Sequence, residues 1–141
     1  VVDGYLAVQE ALADDDREAA VEAAGNARAS LADVDMGLLA GKAHMVWMQH
    51  AGELKKQLDA IAGSDEIGTA REQFSMLSEE LIAVLDRFGL AAGKIYQAWC
   101  PMAFDNRGAA WLQDQEEIDN PYYGEAMLRC GEVRKVIGGR W

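Results

Sequence analysis

The stretch MGLLAGKAHMVWMQHAGELKKQLDAI, residues Met36–Ile61, decides how the first two-thirds of the chain folds. Met36, Leu39, Ala43, Val46, Trp47, His50, Leu54, Leu58 and Ile61 recur every three or four positions, the spacing of one helix face. Gly63-Ser64-Asp65 then ends this third helix and caps a fourth. The fourth carries Ile67, Ala70, Phe74, Leu77, Leu81, Val84, Leu85 and Phe88 in a seam-like stripe and stops near Gly89 or Gly93. Working backwards, a first helix covers about Val2 to Ala13, with Val2, Tyr5, Leu6, Gln9, Leu12 and Ala13 on one face. Asp14-Asp15-Asp16 supplies a turn and an N-cap, and a second helix follows from Arg17. Its stripe of Ala20, Ala24, Ala27, Leu31 and Val34 is made of small side chains that let a neighbouring helix approach closely. Four amphipathic helices joined by short polar turns predict an antiparallel four-helix bundle over about residues 1–93.

From Lys94 onward aromatic residues and turn formers take over, and the reading is loops and short elements laid on the bundle. Asn120 as N-cap, Pro121 as first helical residue and Gly131 as stop predict a short helix over Pro121–Cys130. The basic residues Arg129, Arg134, Lys135 and Arg140 read as a solvated tail. The expected architecture is therefore all-α: a single domain, 1–141, made of the bundle and an irregular C-terminal cap over about 94–141.

Composition narrows the function. The 141 residues hold 24 acidic and 13 basic side chains, a formal net charge of −11. Such an excess argues against tracking a nucleic-acid backbone, which asks for a basic patch. No apolar run approaches the roughly 20 residues that span a bilayer. A chain of this size can bury about 70% of its unfolded surface, so a bound ion would serve function rather than folding. The opening Val1-Val2-Asp3-Gly4-Tyr5 has neither an initiator Met nor a signal-peptide pattern, as expected of a mature form or excised domain.

Candidate chemistry gathers on sulfur. Pro101 pushes Cys100 out of helical backbone, so Cys100-Pro101-Met102 is expected to be extended, with both sulfurs on one side. Met127 and Cys130, three apart on the short helix, share a face. Docked together, the two segments would converge four soft ligands suited to Cu(I) and related ions rather than Mg²⁺ or Ca²⁺. Zn²⁺ would want histidine or carboxylate beside the thiolates. A Cys100–Cys130 disulfide is the competing state, closing a loop worth about 3 to 4 kcal/mol, and it excludes metal because an ion needs both thiolates reduced. On the third helix His44 and Met48, four apart, form a second cluster of donors around Trp47, while His50 on the apolar stripe is expected to make one buried hydrogen bond. Met76 lies opposite the fourth helix's stripe and should be exposed. Each sulfur taken alone reads as core filler. With four serines, one threonine and no Gly-x-Ser-x-Gly, phosphate loop or His-Glu-x-x-His, an enzyme is not expected.

Trp99-Cys100-Pro101-Met102-Ala103, Gly108-Ala109-Ala110-Trp111-Leu112, Asn120-Pro121-Tyr122-Tyr123-Gly124 and Met127-Leu128-Arg129-Cys130-Gly131 read together as a signature. With Asp35-Met36, His44-Met45-Val46-Trp47-Met48 and Arg71-Glu72-Gln73-Phe74 they make the chain resemble a domain of unknown function. That domain is found at the C-terminus of CusB-type periplasmic adaptors of copper and silver efflux pumps, and as a free-standing exported protein. The resemblance implies a periplasmic or exported location and an efflux adaptor or pump component as partner. It also implies importance for Cys100, Met102, Met127 and Cys130, and more weakly His44 and Met48, and raises Cu(I) or Ag(I) binding above the disulfide. The alternative is a structural docking module with the Cys100–Cys130 disulfide formed and Trp99, Trp111, Tyr122 and Tyr123 serving as an interface.

Overall fold

A computed structural model of the chain describes residues 1–34, 40–90 and 93–138. Four helices, α1 (Val2–Ala13), α2 (Arg17–Ala32), α3 (Gly41–Ala62) and α4 (Ile67–Phe88), form where expected, although Val8 and Ala11 join the buried face of α1 and Ala43 of the α3 stripe is exposed. Asp16 caps α2 by accepting from the Ala19 N–H at 3.0 Å. Met36 and Leu39, read as the start of the third helix, lie outside the described residues. The small-residue argument for close approach is met where α1 crosses α2: a Cβ on Gly4 would stand 2.6 Å from Ala27 Cβ. Trp47, Leu54, Leu58 and Ile61 of α3 and Phe74, Leu77, Leu81, Val84 and Leu85 of α4 belong to one buried core. His50 makes one hydrogen bond as expected, Nδ1 to Glu80 Oε1 at 2.5 Å, but half-buried rather than buried.

The expectation of an all-α fold with an irregular cap fails in the last third. There the chain forms a three-stranded antiparallel sheet of β1 (Lys94–Cys100), β2 (Ala109–Gln113) and β3 (Glu132–Gly138), in the order β2-β1-β3. The strands escape a period-two reading for three separate reasons. β1 and β3 shift register between Gln97 and Ala98, breaking the alternation. In β2 all residues but Ala110 are buried, so there is no polar face to alternate with. β3 carries Glu132, Arg134 and Lys135 and exposes most of its length. Arg134 and Lys135 are thus strand residues rather than tail, and Arg140 lies outside the described residues.

The sheet completes the core. α1 packs on α2, α2 on α3 and α3 on α4, whereas α1 and α4 meet sparingly and β2 lies against both. Two tyrosine hydroxyls seal the edge of β2 that faces away from β1. Tyr5 of α1 accepts from the Leu112 N–H at 2.9 Å, and Tyr122 donates to the Ala110 carbonyl at 2.6 Å. Tyr5 in turn reaches Ser78 Oγ of α4 at 2.6 Å, and Ser78 donates to the Phe74 carbonyl at 2.8 Å. An open strand edge would leave the Leu112 N–H unpaired inside the core and the Ala110 carbonyl unpaired at its margin. No helix among the described residues is long and apolar enough to cross a membrane.

Candidate dithiol site

Cys100 is the last residue of β1, and Cys130 precedes β3 by two positions. Pairing of Trp99 with Glu132 carries the two cysteine segments alongside each other, and the sulfurs, 30 residues apart in sequence, stand 3.3 Å from one another. Both are free thiols, Cys100 completely buried and Cys130 half-buried. Close approach of the backbones is possible because residue 131 is glycine: at its φ of +134° a Cβ would press within 2.9 Å of the Trp99 carbonyl and the Trp111 ring. The Cys130 thiol is pushed above the ordinary range, chiefly by its hydrogen bond to Cys100 Sγ and then by burial.

The backbone that carries the two methionines differs from that expected. Cys100-Pro101-Met102 is not extended throughout. The strand ends at Cys100, and Met102 adopts helical backbone (φ −91°, ψ −10°) with 44% of its surface exposed. The chain turns here because residues 103–106 form one tight turn with Phe104, Asp105 and Asn106 all at positive φ. Likewise Pro121–Cys130 is not one helix. It contains a single 3-10 turn, Gly124–Met127, followed by a turn in which the Cys130 N–H reaches the Met127 carbonyl at 3.0 Å. Asn120 nevertheless caps as expected, its Oδ1 accepting from the N–H groups of Tyr122 and Tyr123 at 2.7 and 3.1 Å. Met127 is half-buried.

His44 and Met48 are half-buried and exposed respectively on α3, whose main neighbours are α2 and α4 rather than the sheet. Met76 is exposed, as expected. Among the described residues no group of three or more His, Cys, Asp or Glu is placed to hold a metal ion. Of the aromatic residues read as an interface, Trp111 is completely buried and Tyr122 is 7% exposed, while Trp99 and Tyr123 are half-buried. Arg134 lies over the Trp99 ring, 5.0 Å from its centroid.

Two features of the site were not read from the sequence. The Tyr123 hydroxyl donates to the Met102 carbonyl at 2.5 Å, tying the two cysteine segments together. Its proton is held above the ordinary range, by burial first and then by Cys100 and Cys130. The second is Arg71 of α4, which donates to the carbonyls of Pro121 and Leu12 and to Asp15 Oδ1, each at 2.8 Å. Asp15 also accepts from the Glu125 N–H at 2.9 Å, so one ion pair clamps the C-terminal segment onto the bundle. An arginine early in a helix carries no sequence signal of a target 50 residues away.

Neither a curated protein nor a solved structure matches the chain. A family model described as "Protein of unknown function (DUF3347)" matches residues 1–93, which covers α1–α4 and stops before the strands and cysteines. The four-helix part thus carries the assignment, and this chain belongs to the family described as Protein of unknown function (DUF3347).

Proposed function

We propose that this chain is a soft-ion binding domain of the cell envelope that takes Cu(I) or Ag(I) as cargo between the thiolates of Cys100 and Cys130. The observation that supports the reading is the meeting of two sulfurs at 3.3 Å from segments 30 residues apart. Two thiolates with, among the described residues, no third His, Cys, Asp or Glu grouped with them suit a soft monovalent ion; a structural Zn²⁺ would ask for four ligands. The sulfurs move apart to admit the ion, and both give up their protons as it enters. Half-buried Cys130 is the sulfur a partner's ligands can reach, with Cys100 retained behind it. Release then proceeds by ligand exchange, partner sulfurs replacing Cys130 first. The efflux adaptor or pump component as partner and the exported location belong to this same reading, supported by the resemblance of the sequence motifs; the absence of catalysis belongs to it on the lack of a nucleophile elbow, phosphate loop or His-Glu-x-x-His pair.

A docking module with the disulfide closed is the second reading, favoured by the same short sulfur separation. Trp99 and Tyr123 are then the aromatic residues available to a partner, since Trp111 and Tyr122 pack inside. Titration of the reduced protein with Cu(I) against a chelator separates the two. One ion per chain, held in competition with the chelator and lost in both Cys100→Ser and Cys130→Ser, supports the site. Weak binding that neither variant changes supports the module.

A further inference from the structure

The two sulfurs owe their contact to more than the strand pairing. Asn120 is completely buried, and its side-chain oxygen and nitrogen both bond locally. Oδ1 accepts from the N–H groups of Tyr122 and Tyr123, and Nδ2 donates to the Cys130 carbonyl at 2.8 Å. Its backbone closes the same loop, the N–H reaching the Leu128 carbonyl at 2.8 Å and the carbonyl accepting from the Gly124 N–H at 3.0 Å. From this hub the Tyr123 ring carries its hydroxyl across to the Met102 carbonyl, two residues beyond Cys100. A continuous series of bonds therefore runs from Cys130 through Asn120 and Tyr123 to Met102 and so to the Cys100 segment. The sheet joins the same two segments on the other side, through Trp99 and Glu132.

We propose that Asn120 and Tyr123 are positioning residues for the dithiol, and that the Tyr123–Met102 bond sets how readily Cys100 and Cys130 join as a disulfide. The inference concerns the metal-free thiols, so it stands or falls apart from the soft-ion reading, although the same positioning would serve an ion. With oxidised glutathione as oxidant the step is an exchange. The thiolate of half-buried Cys130 attacks a glutathione sulfur and expels one glutathione thiolate. Deprotonated Cys100, buried behind it, then attacks Cys130 Sγ and expels the second. Two protein thiols lose two electrons and two protons, the Sγ–Sγ bond forms, and one glutathione disulfide becomes two reduced glutathiones. The second step is intramolecular, and its equilibrium constant is an effective concentration of one thiol at the other. Loosening the segment that carries either sulfur lowers that concentration without adding or removing a reacting atom.

Tyr123→Phe keeps the ring and removes the bond to Met102; Asn120→Asp keeps the acceptor for Tyr122 and Tyr123 but removes the donor to the Cys130 carbonyl. The intact chain and both variants are equilibrated in glutathione buffers of graded ratio, and the thiols are trapped by alkylation and counted by mass. Each variant is expected to lower the dithiol–disulfide equilibrium constant about tenfold, with far-ultraviolet circular dichroism and melting of the reduced protein close to wild type for Tyr123→Phe. If Asn120→Asp unfolds, Tyr123→Phe alone decides. A constant within twofold of wild type in folded Tyr123→Phe overturns the proposal. A tenfold effect with no Cu(I) retained by wild type upholds it and sinks the soft-ion reading.

Discussion

Removing one oxygen tests how the sheet is joined to the helices. In Tyr5→Phe the ring remains stacked on Phe74, whose centroid is 4.7 Å away, so packing is nearly conserved and the hydroxyl alone is deleted. That hydroxyl serves two partners of different vulnerability. Ser78 keeps its bond to the Phe74 carbonyl. The Leu112 N–H keeps nothing: it points off the edge of β2, and its residue is completely buried. An orphaned buried donor costs about 1–3 kcal/mol, which for a chain of this length lowers the melting temperature by roughly 3–9 °C. Tyr122→Phe is the internal control. It deprives the Ala110 carbonyl, whose residue is half-buried where Leu112 is completely buried, so about 1 kcal/mol or less is expected. Urea denaturation of reduced wild type and both variants measures the order. Tyr5→Phe within about 0.5 kcal/mol of wild type, or less costly than Tyr122→Phe, would refute the reasoning, because the loss was tied to the burial of the deprived group.

Three further outcomes follow from the same geometry. Gly4→Ala raises helix propensity by about 1 kcal/mol but sets a methyl 2.6 Å from Ala27 Cβ, so the overpacking cost of about 1–3 kcal/mol prevails and thermal melting falls rather than rises. The Asp15 carboxyl is held below its ordinary range by the hydrogen bond from Arg71 and then by that from Glu125, so its contribution is present above the unfolded value of about 3.9 and is lost as pH falls through the folded value. Asp15→Asn should accordingly be less stable than wild type in urea at neutral pH, with the gap narrowing in acid. Because the Cys130 thiol is raised and must lose its proton to hold an ion, conditional Cu(I) affinity should climb with pH by up to tenfold per unit for each proton released, and keep climbing past the ordinary thiol range near 8.5. Chelator competition at several pH values checks this, and a flat profile contradicts it.

The helices were legible because each stripe survives in the sequence at its own spacing: Phe74, Leu77, Leu81 and Leu85 read as a seam and lie in the core. The strands were not, since β2 is buried on both faces and the β1–β3 register shift hides alternation where Gln97 meets Ala98. Missing the sheet went with misreading the backbone at Met102 and over Pro121–Cys130. A proline after Cys100 was enough to predict extended chain, but the left-handed turn at 104–106 rests on tertiary contacts such as that of Phe104 with Tyr122, 5.3 Å between centroids, and local propensity opposes it. What the sequence did convey was that the Cys100 and Cys130 segments could meet, and the sulfurs stand 3.3 Å apart. The clasp of Tyr123 on Met102 links residues 21 apart through a side chain and a carbonyl, a pairing no local pattern encodes.

X-ray absorption at the copper edge of the reduced protein carrying one Cu(I) addresses the dithiol most directly. Two sulfur scatterers at a single short distance, lost in Cys100→Ser and in Cys130→Ser, are the expected spectrum. A first shell of nitrogen or oxygen, or a sulfur shell that persists in either variant, would show that these two cysteines are not where the ion resides.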